Sequence, residues 1–304
     1  MDKIKVAVVG IGRIGWRYML SGEQASHVSS FLKCPRTELV AVADVDRVKL
    51  EDFKIEHPDI AVYADYEKML HEVKPEIVSV ATPADTHCKV VRNVARFDGV
   101  KVIFCEKPLA STVEEAQRMI KTCKQFQVKL AVNHTRRWDN AYRWIKRIID
   151  GQDDTWKMGS LLTFAGRFSG DAIRDGVHMA DLFNWYRQEK TKLSLLNIPI
   201  PYSVIFEVDL WGSEGIIRIL DNGYDIQLWF LEESHRWSAP KGSLRVLGNM
   251  VTLEETYDFS QAMLGAVDDL VECATSDKQP ECTGEDGLYA LGAVLADEFM
   301  KAVP

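Results

Sequence analysis

"VAVVGIGRIG" (residues 6–15) is the stretch on which the fold turns. A run of small and β-branched apolar residues leads into Gly10, Gly12 and Gly15, the spacing G-x-G-x-x-G, with Arg13 and Ile14 inside it. The residues that follow read as the opening of a helix. In a dinucleotide loop the first glycine permits a tight turn. The second lets phosphates approach the backbone, and the third lets helix and strand pack closely. Alone, the same spacing also fits a glycine turn that binds nothing.

The residues around it decide. "KVAVVG" is a continuous apolar run, as expected for a strand buried on both faces of a parallel sheet. "LVAVADVD" from Leu39, "EIVSVATP" from Glu76, "VKVIFCEKP" and "VKLAVNH" repeat that character. Helical stretches lie between them, among them "YEKMLHEV" and "CKVVRNVARF". "TVEEAQRMIKTCKQF" carries Thr112 and Glu115 in capping-box spacing, which starts a helix there. Strands alternating with helices predict an α/β fold, a Rossmann-type doubly wound parallel sheet, over residues 1–132.

From residue 133 the pattern changes, and residues 133–304 read as a second, α+β domain. "RRWDNAYRWIKRIIDG" sets Trp138, Tyr142, Ile145 and Ile149 at helical spacing, ended by Gly151. It also holds Arg136, Arg137, Arg143, Lys146 and Arg147; an apolar stripe facing a core, with most bases facing water, explains them better than nucleic acid does. "SLLTFAGRF" reads as a strand and "HMADLFNWY" as a helix. "SVIFEVDLWG", "GIIRILDN" and "YDIQLWFLE" read as grouped strands, and "QAMLGAVDDLVECAT" and "DGLYALGAVLADEFMKA" as closing helices.

A chain of 304 residues that is 46% hydrophobic can bury two cores, which excludes wholesale disorder. A net charge of -8 weighs against nucleic-acid or anionic-membrane partners. No apolar run approaches the roughly 20 residues that span a bilayer, and the first strand follows the start with no charged leader and apolar h-region. The six cysteines include no C-x-x-C pair, so they read as free thiols with no metal site. Together these predict a soluble, cytoplasmic protein.

Asp44, at the end of the second strand, is the candidate acid for the ribose hydroxyls. It lies farther from the glycines than the usual spacing of about 20 residues. The polar stretch "SGEQASHVSSF" is expected to extend the first helix or its loop and so to account for the excess. A carboxylate there repels a 2′-phosphate and favours NAD, while Arg47 softens the preference and admits NADP. The competing reading makes Asp44 a cap for the next helix.

"VVGIGRIG", "VATPADTH", "CEKPLASTVEEA" and "GVHMAD" occur in that order, and with them the chain resembles the glucose-fructose oxidoreductase / inositol dehydrogenase / MocA family. The late "GSEG" and "ECTGEDGLYAL" resemble it too. The resemblance implies an N-terminal Rossmann domain and a C-terminal domain built on an open, mainly antiparallel sheet. It also implies NAD(P)-dependent hydride transfer at a sugar, polyol or nucleotide-sugar carbon. Carried over by position, Ala81, Thr82, Pro83 and His87 belong to the loop along the dinucleotide. Glu106 and Lys107 are the acid and lysine near the nicotinamide ribose, His178 is the active-site histidine, and Asp181 is the acid one turn on. Oxidising an alcohol needs a proton acceptor as hydride leaves. A lysine beside a nicotinamide cation can have its pKa lowered for that task, with a histidine sharing the proton.

Two departures stand out. Many relatives carry an aspartate four residues before the histidine; here that place is Arg174, and Asp175 follows it. Asp175 is expected to take over that role and orient His178 or a substrate hydroxyl. Arg174 either selects an anionic substrate or forms a surface ion pair with Asp171 or Asp175. Few residues separate "NWYRQ" from "VDLWG", so the second sheet is expected to be shortened, and homo-oligomerisation through it is less secure. The expected activity is a dehydrogenase or reductase. The alternatives are a dinucleotide-binding regulator without catalysis and a reductase of a non-sugar carbonyl.

Overall fold

The computed structural model describes residues 3–20, 23–198, 205–230, 251–252 and 257–296. The expected strand ends 203–204 and 231–232 and the helical tail 297–302 lie outside these. The chain divides into two compact units, 1–139 with 258–291, and 140–257 with 292–304.

The first unit begins with β1 (Ile4–Val9), a five-residue π-helical turn (Arg13–Arg17), and the short strands β2 (Met19–Leu20) and β3 (Glu23–Gln24), which pair antiparallel. Then come α1 (His27–Lys33), β4 (Thr37–Ala43), α2 (Arg47–Glu56), β5 (Ala61–Tyr63), α3 (Tyr66–Val73), β6 (Ile77–Val80), α4 (Ala84–Val94), β7 (Val102–Cys105), α5 (Val113–Gln125) and β8 (Lys129–Val132). The sheet order is β5-β4-β1-β6-β7-β8, all parallel. This is the doubly wound order the alternating pattern predicts. Val6, Val8, Ile77, Val80, Ile103 and Phe104 are buried to 4% exposure or less, as strands covered on both faces require. Thr112 accepts the Glu115 N–H and starts α5 as its spacing predicts.

One expectation fails beside the glycines. The helix after the loop is not long: it stops at Arg17, the chain makes the β2–β3 ladder, and a new helix begins at Ser26. Ser26 and Ser29 cap each other's backbone N–H groups, so α1 has its own start. The polar stretch is therefore an inserted ladder and a second helix start, not a continuation of the first helix.

The first unit also takes back chain from the far end. α8 (Phe259–Thr275) and the first part of α9 (Gly284–Leu295) belong to it, although the sequence reading places everything after residue 132 in the second domain. The physical reason is the edge of the sheet. β8 is a terminal strand, and Cys282 and Thr283 pair against it through Val132 N–H to Cys282 O and a bridge between Ala131 and Thr283. An uncovered edge strand is a template for foreign pairing, and this segment blunts it. Beyond β8, Trp138 donates its indole N–H to Asp269 of α8, and the buried Arg137 pairs with Asp286. Trp138 thus lies in a 3-10 turn ahead of the helix on which its spacing seemed to put it.

The second unit holds α6 (Asn140–Ile149), β9 (Leu161–Ser169), a π-helical turn (Ala172–Gly176), α7 (Val177–Tyr186), β10 (Lys192–Ile198), β11 (Phe206–Gly212), β12 (Gly215–Leu220), β13 (Asp225–Phe230) and β14 (Val251–Thr252). Its sheet runs β10-β9-β11-β12-β13-β14, with β10 parallel to β9 and the other pairs antiparallel. One face is core: Phe164, Phe168, Val208, Leu210, Ile217, Ile219, Ile226 and Leu228 are buried. The other face carries Arg167 paired with Glu207 and Asp209, and Arg218 paired with Asp209. On α6 the apolar stripe is buried as expected, but of the five bases near it only Arg147 is exposed. Among the described residues no helix is long and apolar enough to cross a membrane, and all six cysteines are buried free thiols.

Candidate functional site

Doubly wound sheets bind ligands at the carboxyl ends of their strands, beside the point where strand order reverses. Here that point is β1, flanked by β4 and β6. The strand ladder continues one residue into each loop. Gly10 N–H bonds Ala43 O, Ala81 N–H bonds Val9 O, Glu106 N–H bonds Val80 O, and Asn133 N–H bonds Cys105 O, at 2.7 to 2.9 Å. Gly10, Ala81 and Glu106 are thus just past strand ends and registered against their neighbours.

The three glycines have different reasons. Gly10 has φ +92°, and a Cβ there would meet the Ala81 carbonyl oxygen at 2.7 Å. A Cβ on Gly15 would overlap the Gly10 carbonyl oxygen. At Gly12 a Cβ would meet nothing within 4 Å. Folding explains the first and third glycines and leaves the second unexplained. An open cradle over Gly12 is what a pyrophosphate needs.

Asp44 is half-buried and already engaged. Its Oδ2 accepts the Ile11 N–H and its Oδ1 the Asp46 N–H, both at 2.9 Å. It therefore shapes the glycine loop, and each oxygen keeps a lone pair for a further donor. The cap of α2 is Asp46, which accepts the Val48 and Lys49 N–H groups. Arg47 opens that helix with its side chain exposed. Across β1, Thr82 and Pro83 lead into α4, and the Thr86 hydroxyl donates to Thr82 Oγ1. His87 is 1% exposed, with Nε2 2.8 Å from Thr82 O and Nδ1 3.1 Å from Pro108 O. It ties the loop after β6 to the turn after β7.

Glu106 and Lys107 follow β7, and the Lys107–Pro108 peptide is cis. Glu106 is 8% exposed. Its Oε1 faces His27 Nε2 at 2.8 Å and Asn133 Nδ2 at 2.5 Å, and its Oε2 accepts the Lys107 backbone N–H at 3.3 Å. Burial pushes the carboxyl up; the hydrogen bond and charge of His27, then Asn133 and Lys107, outweigh it and hold the group below its ordinary value. Asp286 behaves alike. Burial raises it, while the charge of Arg137 and the hydrogen bonds of Thr283 bring it below the usual range. The Cys105 thiol beside Glu106 is pushed well up by burial and by that carboxylate, which leaves it a neutral filler.

His27, Ser79 and Asn133 are the residues that sequence reasoning missed. Ser79 Oγ lies 2.7 Å from His27 Nδ1. The order Ser–His–Glu suggests a nucleophile, yet Ser79 and His27 have no exposed surface, so no substrate reaches the hydroxyl. The available signal was a histidine within a polar insertion, which alone says nothing about where it is buried.

In the second unit, Arg174, Asp175 and His178 gather at the start of α7. Asp171 caps the turn by accepting the Arg174 N–H at 2.7 Å, and Asp175 Oδ2 accepts the Asp171 N–H at 2.9 Å. Arg174 donates from Nε and Nη2 to the Asp175 carboxylate. Its side chain is 70% exposed and that of Asp175 32%. The ion pair open to Arg174 is thus formed with Asp175. Gly176 is buried against Phe168, His178 is half-buried in the first turn of α7, and Asp181 is 2% exposed.

Residues 4–134 match the family model GFO_IDH_MocA, described as an oxidoreductase family with an NAD-binding Rossmann fold. The chain is similar to inositol 2-dehydrogenase of Salmonella typhimurium, 28% identical over 66% of this chain and 60% of that protein. It is also similar to 1-carboxy-3-chloro-3,4-dihydroxycyclo hexa-1,5-diene dehydrogenase of Comamonas testosteroni, 30% identical over 91% of this chain and 64% of that one. The matched region is thus less than two thirds of these relatives' length. Among solved structures, the WlbA dehydrogenase of Bordetella pertussis, in complex with NADH and UDP-GlcNAcA, superposes with a TM-score of 0.72. It is 17% identical and covers 100% of this chain and 99% of that one, which shows a shared fold.

Proposed function

We propose, because residues 4–134 match the oxidoreductase family with an NAD-binding Rossmann fold, that the chain is a nicotinamide-dependent dehydrogenase or reductase acting at a CH–OH carbon. The observation that carries this reading is the open cradle at Gly12, with Asp44 at the end of β4 holding the adjoining Ile11 N–H and the Glu106–Lys107 turn following β7, two strands along the same sheet from β1. A bound nicotinamide supplies the hydride acceptor or donor. The chain's own residues do the rest. The loop backbone faces the pyrophosphate, and Asp44 accepts ribose hydroxyls and repels a 2′-phosphate, so NAD is favoured over NADP. Lys107 takes or returns the proton at the substrate oxygen through Nζ, with the imidazole of His178 sharing it. Asp175 and Arg174 stand at the entrance to the helix that carries His178.

The named relatives suggest the substrate class. One is named for inositol and one for a carboxylated dihydroxy ring, and the solved one holds UDP-GlcNAcA. A hydroxyl on a ring is their shared chemistry, and a sugar, polyol or nucleotide-sugar ring is the substrate we propose. The regulator reading draws support from Arg174, which stands where an aspartate is expected and neutralises Asp175. Retention of Lys107 and His178 favours the enzyme.

Calorimetric titration with NAD, NADH, NADP and NADPH tests the cofactor. We expect NAD(H) to bind more tightly, and Asp44→Ala to weaken NAD(H) about tenfold because the loop loses its anchor along with the ribose acceptor. A clear preference for NADP would remove Asp44 from its role. A panel of inositols, sugar acids and nucleotide sugars, followed by absorbance of the reduced cofactor, tests the reaction. Dinucleotide binding without turnover across the panel would establish the regulator reading instead.

A further inference from the structure

The chain Ser79–His27–Glu106 crosses the Rossmann unit from its core to its loop end. Ser79 sits on β6 and His27 at the first position of α1, each with no exposed surface. Glu106, just past β7, keeps 10% of its side chain exposed. The buried end is therefore structural, and the carboxylate is the end that reaches the surface. Glu106 Oε1 is held twice, by His27 at 2.8 Å and by Asn133 at 2.5 Å. Among the described residues, Oε2 has the single 3.3 Å bond from the Lys107 backbone N–H. One oxygen is pinned and the other is lightly used, so the carboxylate's orientation decides which acceptor faces the cofactor side.

His27 suits that task because each of its ring nitrogens has a partner. Its Nδ1 faces a hydroxyl, which can donate to a neutral ring or accept from a protonated one. Nε2 thus stays a donor to Glu106 in either protonation state. The start of α1, fixed by the reciprocal Ser26–Ser29 cap, sets the position of the ring, and Phe104 packs on it with centroids 5.1 Å apart.

We propose that His27 is a positioning residue for the dinucleotide: by holding Oε1 of Glu106 it keeps Oε2 directed at the Lys107 turn and open to a ribose hydroxyl of the nicotinamide end. This rests on the cofactor reading given above. It also gives the inserted β2–β3 ladder a consequence, since α1 must restart with His27 at its head for the chain of bonds to close.

The test is NADH binding by fluorescence in the full chain, with thermal stability measured beside it. His27→Leu removes the donor and is expected to weaken NADH about tenfold or more, since small misplacement of a binding group carries losses of that order. His27→Gln keeps a donor near the Nε2 position and is expected to bind within about threefold of wild type, allowing for a neutral hydrogen bond of ordinary strength. A Glu106→Gln change made in both backgrounds separates positioning from general destabilisation. If His27 acts through Glu106, the two losses are not additive. Additive losses, or wild-type affinity in a folded His27→Leu, would overturn the inference. Should His27→Leu not fold, Ser79→Ala takes its place, with an expected loss of about threefold, and wild-type affinity there overturns it equally. A wild-type protein that binds neither NADH nor NADPH would overturn the cofactor reading itself; binding by wild type with no effect of these changes sinks the positioning role alone.

Discussion

Glu106 and Asp175 are the carboxylates set beside the candidate proton-transfer groups, and they are held in opposite ways. Glu106 takes its side-chain partners from 79 residues before it and 27 residues after it, and is 8% exposed. Asp175 takes its partners from one and four residues away, and its side chain is 32% exposed. A carboxylate tied from a distance in a dry interior is rigid, and its charge is felt strongly by neighbours. One tied to the next residue in water is screened, and such a pair contributes little. The difference teaches where chemical leverage lies: large functional effects belong to the Glu106–Lys107 turn and small ones to Arg174–Asp175.

Lys107→Met puts the largest effect at stake. Turnover should fall by about a hundred- to ten-thousandfold, the usual worth of a positioned proton-transfer group, while NADH affinity and melting temperature stay near wild type. Near-normal turnover on an authentic substrate would break the comparison at its strong end. The acid response of the first unit comes next. Glu106 and Asp286 are held below their ordinary values, so in mild acid the unfolded chain binds protons that the folded one does not. Their contribution is complete above the unfolded values, about 4, and is lost as pH falls through the folded ones. Urea midpoints followed by tryptophan fluorescence should therefore drop between about pH 5 and about pH 3, and Asp286→Asn should flatten that slope. A midpoint unchanged over this range would show that the buried carboxylates are not held as described.

Arg174→Ala carries the smallest effect. With the guanidinium exposed and engaged by Asp175, we expect KM for an anionic ring substrate to rise less than about tenfold, and stability to change by less than about 1 kcal/mol. Steady-state kinetics on one charged and one neutral substrate would check it. A much larger, charge-selective rise would mean that Arg174 reads the substrate directly, and would erase the contrast between the two turns.

What the sequence disclosed was what neighbours in sequence determine. The glycine spacing, the apolar strands, the Thr112 cap and the start of α7 near His178 are local patterns, and each could be read from a few consecutive residues. Asp44 was legible as the acid closing β4, although its bonds to Ile11 and Asp46 were not. The broken helix after the glycines was missed because a polar stretch with a serine cap looks the same within one long loop as at a new helix start. His27 and Asn133 were missed because their partner in both cases is Glu106, and no spacing rule relates residues that only the sheet order brings together. Arg137 read as one base among five, and its burial depends on Asp286, which comes 149 positions later in the numbering.

That last distance has a consequence in time. Trp138 and Asp269, which share a hydrogen bond in the first unit, are separated by 131 residues. At ordinary rates of synthesis, roughly 5–20 residues per second, the helix carrying Asp269 leaves the ribosome roughly seven to twenty-six seconds after Trp138. Through that interval the nascent Rossmann sheet has β8 as an open edge and Arg137 without Asp286, so it is the stage most exposed to chaperones and to pairing with other chains. A gene fragment stopping at residue 139 would make that stage permanent.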